Sequence, residues 1–174
     1  MASSPSSQAR KPKPELLLPF SASAGYLLHD VHKMQSRLLQ EELAKFGVAF
    51  GSWYYLRVLW DQDGLNQHDL SKRVNVNDAS TRTAIDRMEQ DGLVNRQPHP
   101  EDRRQTCIFL TKRARDLRSK LMPIAIELNR ALVSGFSEKE QRAFIDLLTR
   151  AKANYEARFF AGKRKREMPE TPAT

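Results

Sequence analysis

Apolar positions come first in one long helical pattern and then in a series of shorter ones. From Ser23 to Phe46, Leu27, Leu28, Val31, Leu38, Leu39 and Phe46 fall with Glu42 in one broad sector, which predicts an amphipathic helix. Gly47 ends it and Gly51 precedes the next, SWYYLRVLWDQDG, where Trp53, Leu56 and Trp60 keep helical spacing. The pattern then shortens. Asn66 and Asp69 form a capping pair, with Leu65 and Leu70 placed as a hydrophobic staple, and this helix fades near Val74. Another starts at Asn77 or Asp78, turns Thr81, Ala84, Ile85 and Met88 inward, and stops at Gly92. Leu93 and Val94 open a strand, Glu101 to Arg104 make a charged hairpin tip, and Thr106 to Leu110 return as a second strand. Pro98 and Pro100 cannot sit in a central ladder, so they stiffen the approach to the tip.

Thr111 can cap a long helix whose Ala114, Leu117, Leu121, Ile124, Leu128 and Ala131 make a narrow seam of the kind that pairs with another helix. Pro123 lies inside it and predicts a kink or break near residues 119–123. Ser137 and Glu140 form a capping box, and Phe144, Leu147, Leu148, Ala151, Tyr155 and Phe159 continue the stripe. Amphipathic helices at both chain ends imply mutual burial. The fold class expected is mainly α with a small β-wing: a winged helix-turn-helix flanked by N- and C-terminal helices. The expected parts are a disordered tail over 1–15, an arm and helix over 16–48, the winged helix-turn-helix over 49–111, C-terminal helices over 112–160, and a flexible basic tail over 161–174. Leu16, Leu17, Leu18 and Phe20 are expected in a short extended arm packed on the body or on a second subunit.

Charge adds a partner class. The 174 residues carry 29 Lys and Arg against 21 Asp and Glu, a formal net charge of +8, which favours a polyanion. Ser80, Arg82, Thr83 and Arg87 lie on the face of the second short helix opposite its buried positions, where they can bond base edges and phosphates in a major groove. Lys72 and Arg73 are placed to meet phosphates, and Arg103 and Arg104 form the tip. Arg104 is the candidate minor-groove insertion, with Asp102 holding it. The partner expected is therefore double-stranded DNA.

Other chemistry finds little footing. No apolar run reaches the about eighteen residues of a membrane span, and LLLPF is too short for a signal core, so a cytoplasmic location is expected, with no membrane partner. The single cysteine, Cys107, rules out an internal disulfide and reads as a half-buried structural thiol in a wing strand. His29, His32, His68 and His99 show no zinc-ligand spacing with Cys107 or the acids, and there is no glycine-rich phosphate loop or serine elbow. No metal, cofactor or enzymatic activity is expected.

The segment DGLVNRQPHPEDRRQTCIFLT resembles the wing of the MarR family of transcriptional regulators. The matching positions are Gly92, Leu93, Val94, Arg96, Asp102, Arg104, Leu110 and Thr111. Upstream, LRVLWDQDGLNQHDLSKRVNV resembles the family's second and third helices, and the likeness covers roughly residues 23–160. Ala114 departs from the pattern, since many members have Gly just after the Leu-Thr. The resemblance implies terminal helices that interlock into a homodimer, and two recognition helices fitted to a palindrome with centres about 10 base pairs apart. It further implies a repressor released by a small aromatic or phenolic compound, or its coenzyme A thioester, bound between the dimer helices and the DNA-binding lobe. Tyr26, His29, His32, Trp53 and Tyr54 are the candidate ligand residues. The alternatives are a DNA-binding factor that answers to no effector and a protein-interaction module that reads no DNA.

Overall fold

The structure is a computed structural model and describes residues 19–98 and 105–160. The chain forms two compact units, one reaching Arg118 and one starting at Ser119. The expected tails lie outside the described residues, as do Leu16, Leu17 and Leu18 of the arm and the wing tip with Asp102, Arg103 and Arg104.

In the first unit, Pro19 is extended and leads into a single 3-10 turn, Phe20–Ala22, where the sequence predicted only an extended arm. Helix α1, Ala24–Ala44, is capped by Ser23, whose side chain accepts the Tyr26 N–H at 3.2 Å. It ends because Gly47 takes φ +65°, which lets the Val48 N–H return to the Leu43 carbonyl. A 3-10 turn, Phe50–Ser52, feeds α2, Trp53–Asp61, which buries Trp53, Tyr55, Leu56, Leu59 and Trp60. These aromatics are packed and also bonded. The Trp60 indole donates to the Ala114 carbonyl at 2.9 Å, and the Tyr55 hydroxyl lies 3.3 Å from that of Thr81.

Strand β1, Leu65–Asn66, was not foreseen. It pairs antiparallel with β3, Thr106–Leu110, which also pairs with β2, Val94–Pro98, so the sheet has three strands in the order β1-β3-β2 where a two-stranded wing was expected. Leu65 stands opposite Ile108, and Val94 opposite Leu110. Pro98 closes the edge strand β2, where its missing N–H is harmless. Helix α3, Gln67–Val74, is capped by Asn66, and α4, Asp78–Gln90, by Asn77. The turn between them works because Asn75 adopts the left-handed conformation. Thr81, Ile85 and Met88 are fully buried, as the periodicity required. Leu70, Leu93, Val94, Ile108 and Leu110 complete a core under the sheet and helices.

Helix α5, Lys112–Leu132, opens on Thr111, whose hydroxyl accepts the Ala114 N–H at 3.1 Å. Of the kink or break expected near residues 119–123, the break does not occur. Pro123 removes one N–H from the ladder, but flanking turns keep the helix continuous through it. The expected seam is divided. Ala114, Leu117 and Leu121 are buried within one chain, whereas Ile124 and Leu128 are only half-buried.

In the second unit, the rest of α5 precedes α6, Glu138–Tyr155, which is followed by a π-type turn, Glu156–Phe160. Ser137 and Glu140 make the reciprocal capping box, and both Ser137 donors hold the Glu140 carboxyl below its ordinary range. The Phe136 and Phe144 rings meet edge to face at 5.8 Å. No residue of α6 is buried. No helix among the described residues is long and apolar enough to cross a bilayer.

Candidate nucleic-acid interface

Helix α4 carries the candidate site. Ser80, Arg82, Thr83 and Arg87 are all exposed, while the opposite side is locked into the core through Thr81, Ile85 and Met88. Spacing of three and seven residues puts Ser80, Thr83 and Arg87 in one stripe. Arg82 stands at the edge of the same exposed arc, near the wing side where Asp86 and Glu89 also project. The Thr83 hydroxyl donates back to the Ala79 carbonyl at 3.2 Å, so its lone pairs face outward.

The basic side chains are not equivalent. Arg82 has no ion pair or hydrogen-bond partner among the described residues, which leaves its guanidinium fork available. Arg87 lies 3.9 Å from Asp91, an open and weak pair. Arg73 donates to Gln62 at 2.9 Å and to Asp61 at 3.3 Å, so the end of α3 is tied to the end of α2. Lys72 is exposed on α3.

Sequence reasoning overlooked the role of Arg96. From β2 its guanidinium forks onto Asp86 and Glu89 of α4, and Glu89 also accepts the Arg96 backbone N–H at 3.2 Å. Burial by itself would lower the Arg96 pKa, but the two carboxylates outweigh it and hold the group charged. The fork fixes the wing root to the helix. It also offsets one of the two negative charges that stand beside Arg82. The signal was present as acids at i and i+3 on a helix followed by an Arg in the next strand, but only folding brings them together.

The junction of α3 and α4 has its own network. The Ser71 hydroxyl lies 2.5 Å from one Asp78 oxygen, and His68 Nδ1 lies 3.3 Å from the other. The Ser71 hydrogen bond, then that of His68, holds the Asp78 carboxyl below the ordinary carboxylate range. A depressed folded pKa contributes stability above the unfolded value and loses it as pH falls through the folded one. A carboxyl-detected NMR titration should therefore place the Asp78 midpoint below that of an exposed aspartate, and Ser71→Ala should raise it. An unshifted midpoint in the parent protein would remove this tie between the two helices.

Cys107 is more deeply buried than the sequence suggested, and burial, then the nearby Asp69 charge, pushes its thiol pKa up. A buried neutral thiol is a packing group.

The ligand candidates part company. Trp53 is only 3 % exposed, packed edge to face on Trp60 with ring centroids 5.8 Å apart, and Arg57 lies over its ring at 5.6 Å. Tyr54 points the other way, 50 % exposed, into an open groove. Tyr26, His29 and His32 are exposed on α1, where Tyr26 meets Phe20 and His32 lies 3.4 Å from the Ser36 hydroxyl. Among the described residues, no group of three or more His, Cys, Asp or Glu is placed to hold a metal ion.

A helix-turn-helix with a three-stranded wing is thus built around an exposed basic helix. The sequence profile of the MarR family matches residues 51–106, which is α2 through the start of β3. These residues form a winged-helix domain of the MarR family of transcriptional regulators. The chain is 28 % identical over 123 residues to the HTH-type transcriptional repressor YetL of Bacillus subtilis, covering 70 % of this chain and 74 % of YetL. The structure of a MarR transcriptional regulator from Methanosarcina mazei Go1 superposes with a TM-score of 0.67 at 26 % identity, over 75 % of this chain and 94 % of that one. A MarR-family protein from Listeria monocytogenes, solved with a 26mer DNA, shares the fold with a TM-score of 0.73 at 17 % identity, over 86 % of this chain and 99 % of that one. Family and relatives are transcriptional regulators and not enzymes, in line with the sequence reading.

Proposed function

We propose that this protein is a homodimeric MarR-family repressor that binds a palindromic operator in the cytoplasm and is released by a small aromatic or phenolic compound or its coenzyme A thioester. The observation that carries DNA binding is α4, with Ser80, Arg82, Thr83 and Arg87 on its exposed arc and Asp86 and Glu89 drawn onto the Arg96 fork. Lys72 on α3 adds a phosphate contact, and the wing tip, with Arg103, Arg104 and Asp102, extends the reading into the minor groove. Support from relatives lies in the Listeria protein's DNA complex and in the repressor name of YetL.

The homodimer rests on uncovered apolar surface. Leu27, Leu28, Val31, Met34 and Leu38 of α1 are exposed in a single chain, and so are Ile145 and Leu147 of α6. Monomeric proteins rarely leave such stripes in water. The parts proposed are thus a dimerisation helix at each chain end and a winged helix-turn-helix over 49–111. Leu28→Asp with Leu147→Asp should yield a monomer by sedimentation. These positions are better tests than Leu121, whose burial within one chain would make a charge there a folding defect.

Repression requires the effector to prefer the state that cannot bind DNA. The test is fluorescence anisotropy with duplex DNA from the protein's own promoter region, across salt concentrations and with a panel of aromatic acids. Salt-dependent binding relieved by one of the acids is the expected result. Binding that no acid relieves would favour a factor without an effector, and no binding at low salt would remove the DNA reading.

A further inference from the structure

Helices α1 and α4 end alike. Each closes on a left-handed glycine, Gly47 at φ +65° and Gly92 at φ +66°. Each glycine and the residue after it return their N–H groups to the helix, Gly47 to Ala44 and Val48 to Leu43, Gly92 to Glu89 and Leu93 to Met88. A cap of this kind leaves unused the carbonyl just before the glycine. Arg113, in the first turn of α5, takes that carbonyl from both helices. Its Nη1 donates to Asp91 at 2.5 Å and its Nη2 to Phe46 at 3.2 Å. We propose that Arg113 is a positioning residue for operator binding, a clamp that joins the ends of α1 and α4 and so fixes the angle at which a dimer built on α1 presents α4 to DNA. The proposal rests on the reading of the chain as a dimeric DNA-binding protein.

The junction suits a guanidinium. Two helix C-termini bring partial negative charge together, and a cation between them offsets it. The planar fork gives a separate nitrogen to each helix end, which a single ammonium cannot do. Nη2 also lies 3.5 Å from the Gly47 carbonyl, and a Cβ on Gly47 would stand 3.3 Å from Nη2, so the group is seated against the glycine backbone.

What the clamp adds is α1. Thr111 already ties α5 to the end of α4, its hydroxyl donating to the Gly92 carbonyl at 2.8 Å and its N–H to the Leu93 carbonyl at 3.0 Å. Leu39, Leu43 and Leu117 are buried, but apolar burial has no direction and sets no angle. Hydrogen bonds do. The angle matters because α4 is a lever. Ser80 lies eleven residues before Asp91, about 16 Å along the helix. A tilt of about 10° at the Asp91 end would move Ser80 by about 3 Å, close to the about 3.4 Å of one base-pair step. In a dimer both copies tilt, so the two reading helices lose register with a palindrome while each still fits its own half-site.

The test is fluorescence anisotropy of the full-length protein with three duplexes. These are the palindrome from its own promoter region, the same duplex with one arm scrambled, and the palindrome with its arms moved one base pair apart. Arg113→Met and Arg113→Lys should weaken binding to the intact palindrome about tenfold or more, within the about 5–150-fold of couplings between sites, and leave the single arm unchanged. Moving the arms should cost the variants less than the parent. In DNA-free protein, amide residual dipolar couplings of α1 and α4 should fit one alignment frame in the parent and need two in the variants. If Arg113→Met fails to fold by circular dichroism, Arg113→Lys, which keeps the charge and loses the fork, decides alone. Equal losses on the palindrome and the single arm would make Arg113 a phosphate contact and overturn the proposal. No loss on either duplex, or one frame in the variants, would overturn it as well. A parent chain that ignores all three duplexes refutes the DNA reading, and the dipolar couplings still decide whether Arg113 sets the angle.

Discussion

Arg82→Ala should reduce operator affinity more than any other single change on the exposed arc of α4, while leaving the fold intact. Its side chain is exposed and without a partner among the described residues, so truncation removes nothing that holds the monomer together. Each good contact of this kind is worth about 1–3 kcal/mol, and the proposed homodimer on a palindrome would lose it twice, so the expected cost is about 2–6 kcal/mol. Affinity for unrelated duplex should fall much less, because base-edge contacts specify and phosphate contacts do not. Arg87→Ala should cost less, since Asp91 already competes for that guanidinium. Anisotropy titrations with operator and scrambled duplexes at one salt concentration separate the two effects. If Arg82→Ala lowers affinity for both duplexes equally, the residue is a phosphate contact. If neither affinity changes, α4 does not present this edge to the groove.

What the sequence made legible follows the range of the interactions. Caps are local, so Asn66, Thr111 and Ser137 could be read from their immediate neighbours and the cap of α4 narrowed to Asn77 or Asp78, and the structure bonds Asn66, Asn77, Thr111 and Ser137 as caps. The buried side of α4 was legible for the same reason, since a 3.6-residue period leaves little freedom over thirteen residues. Strand β1 was not, because two residues have no period and are a strand only through their pairing with Ile108 and Cys107. Arg96 and Arg73 were read as motif and surface charge because their partners lie on other elements. Trp53 and Tyr54 are adjacent aromatics that composition cannot tell apart. Their fates differ because α2 turns about 100° per residue, which sends one into the core and the other to the groove. At Pro123 a local rule predicted a kink or break, and the helix runs through it without a break.

Gly64→Ala is the substitution expected to cost the most stability at the smallest change in volume. Gly64 sits at φ +77° between α2 and β1, and a Cβ there would come within 2.6 Å of the Phe109 ring. The left-handed backbone alone costs a side chain about 1–2 kcal/mol. Forcing an extra carbon against a packed ring adds about 1–3 kcal/mol. The turn has little room to yield. The Gly64 N–H donates to the Ile108 carbonyl at 3.1 Å, and the neighbouring Asp63 carboxylate accepts the Leu110 N–H at 2.8 Å, so both strand partners of the wing root are fixed there. Together about 2–5 kcal/mol should be lost, visible as a lower urea midpoint with an unchanged slope. Phe109→Ala divides the two causes. In that background the overlap is gone and only the backbone penalty remains, so Gly64→Ala should cost less by about 1 kcal/mol or more. Equal costs in both backgrounds would show that Phe109 swings aside freely and that the turn's conformation alone reserves this position for glycine.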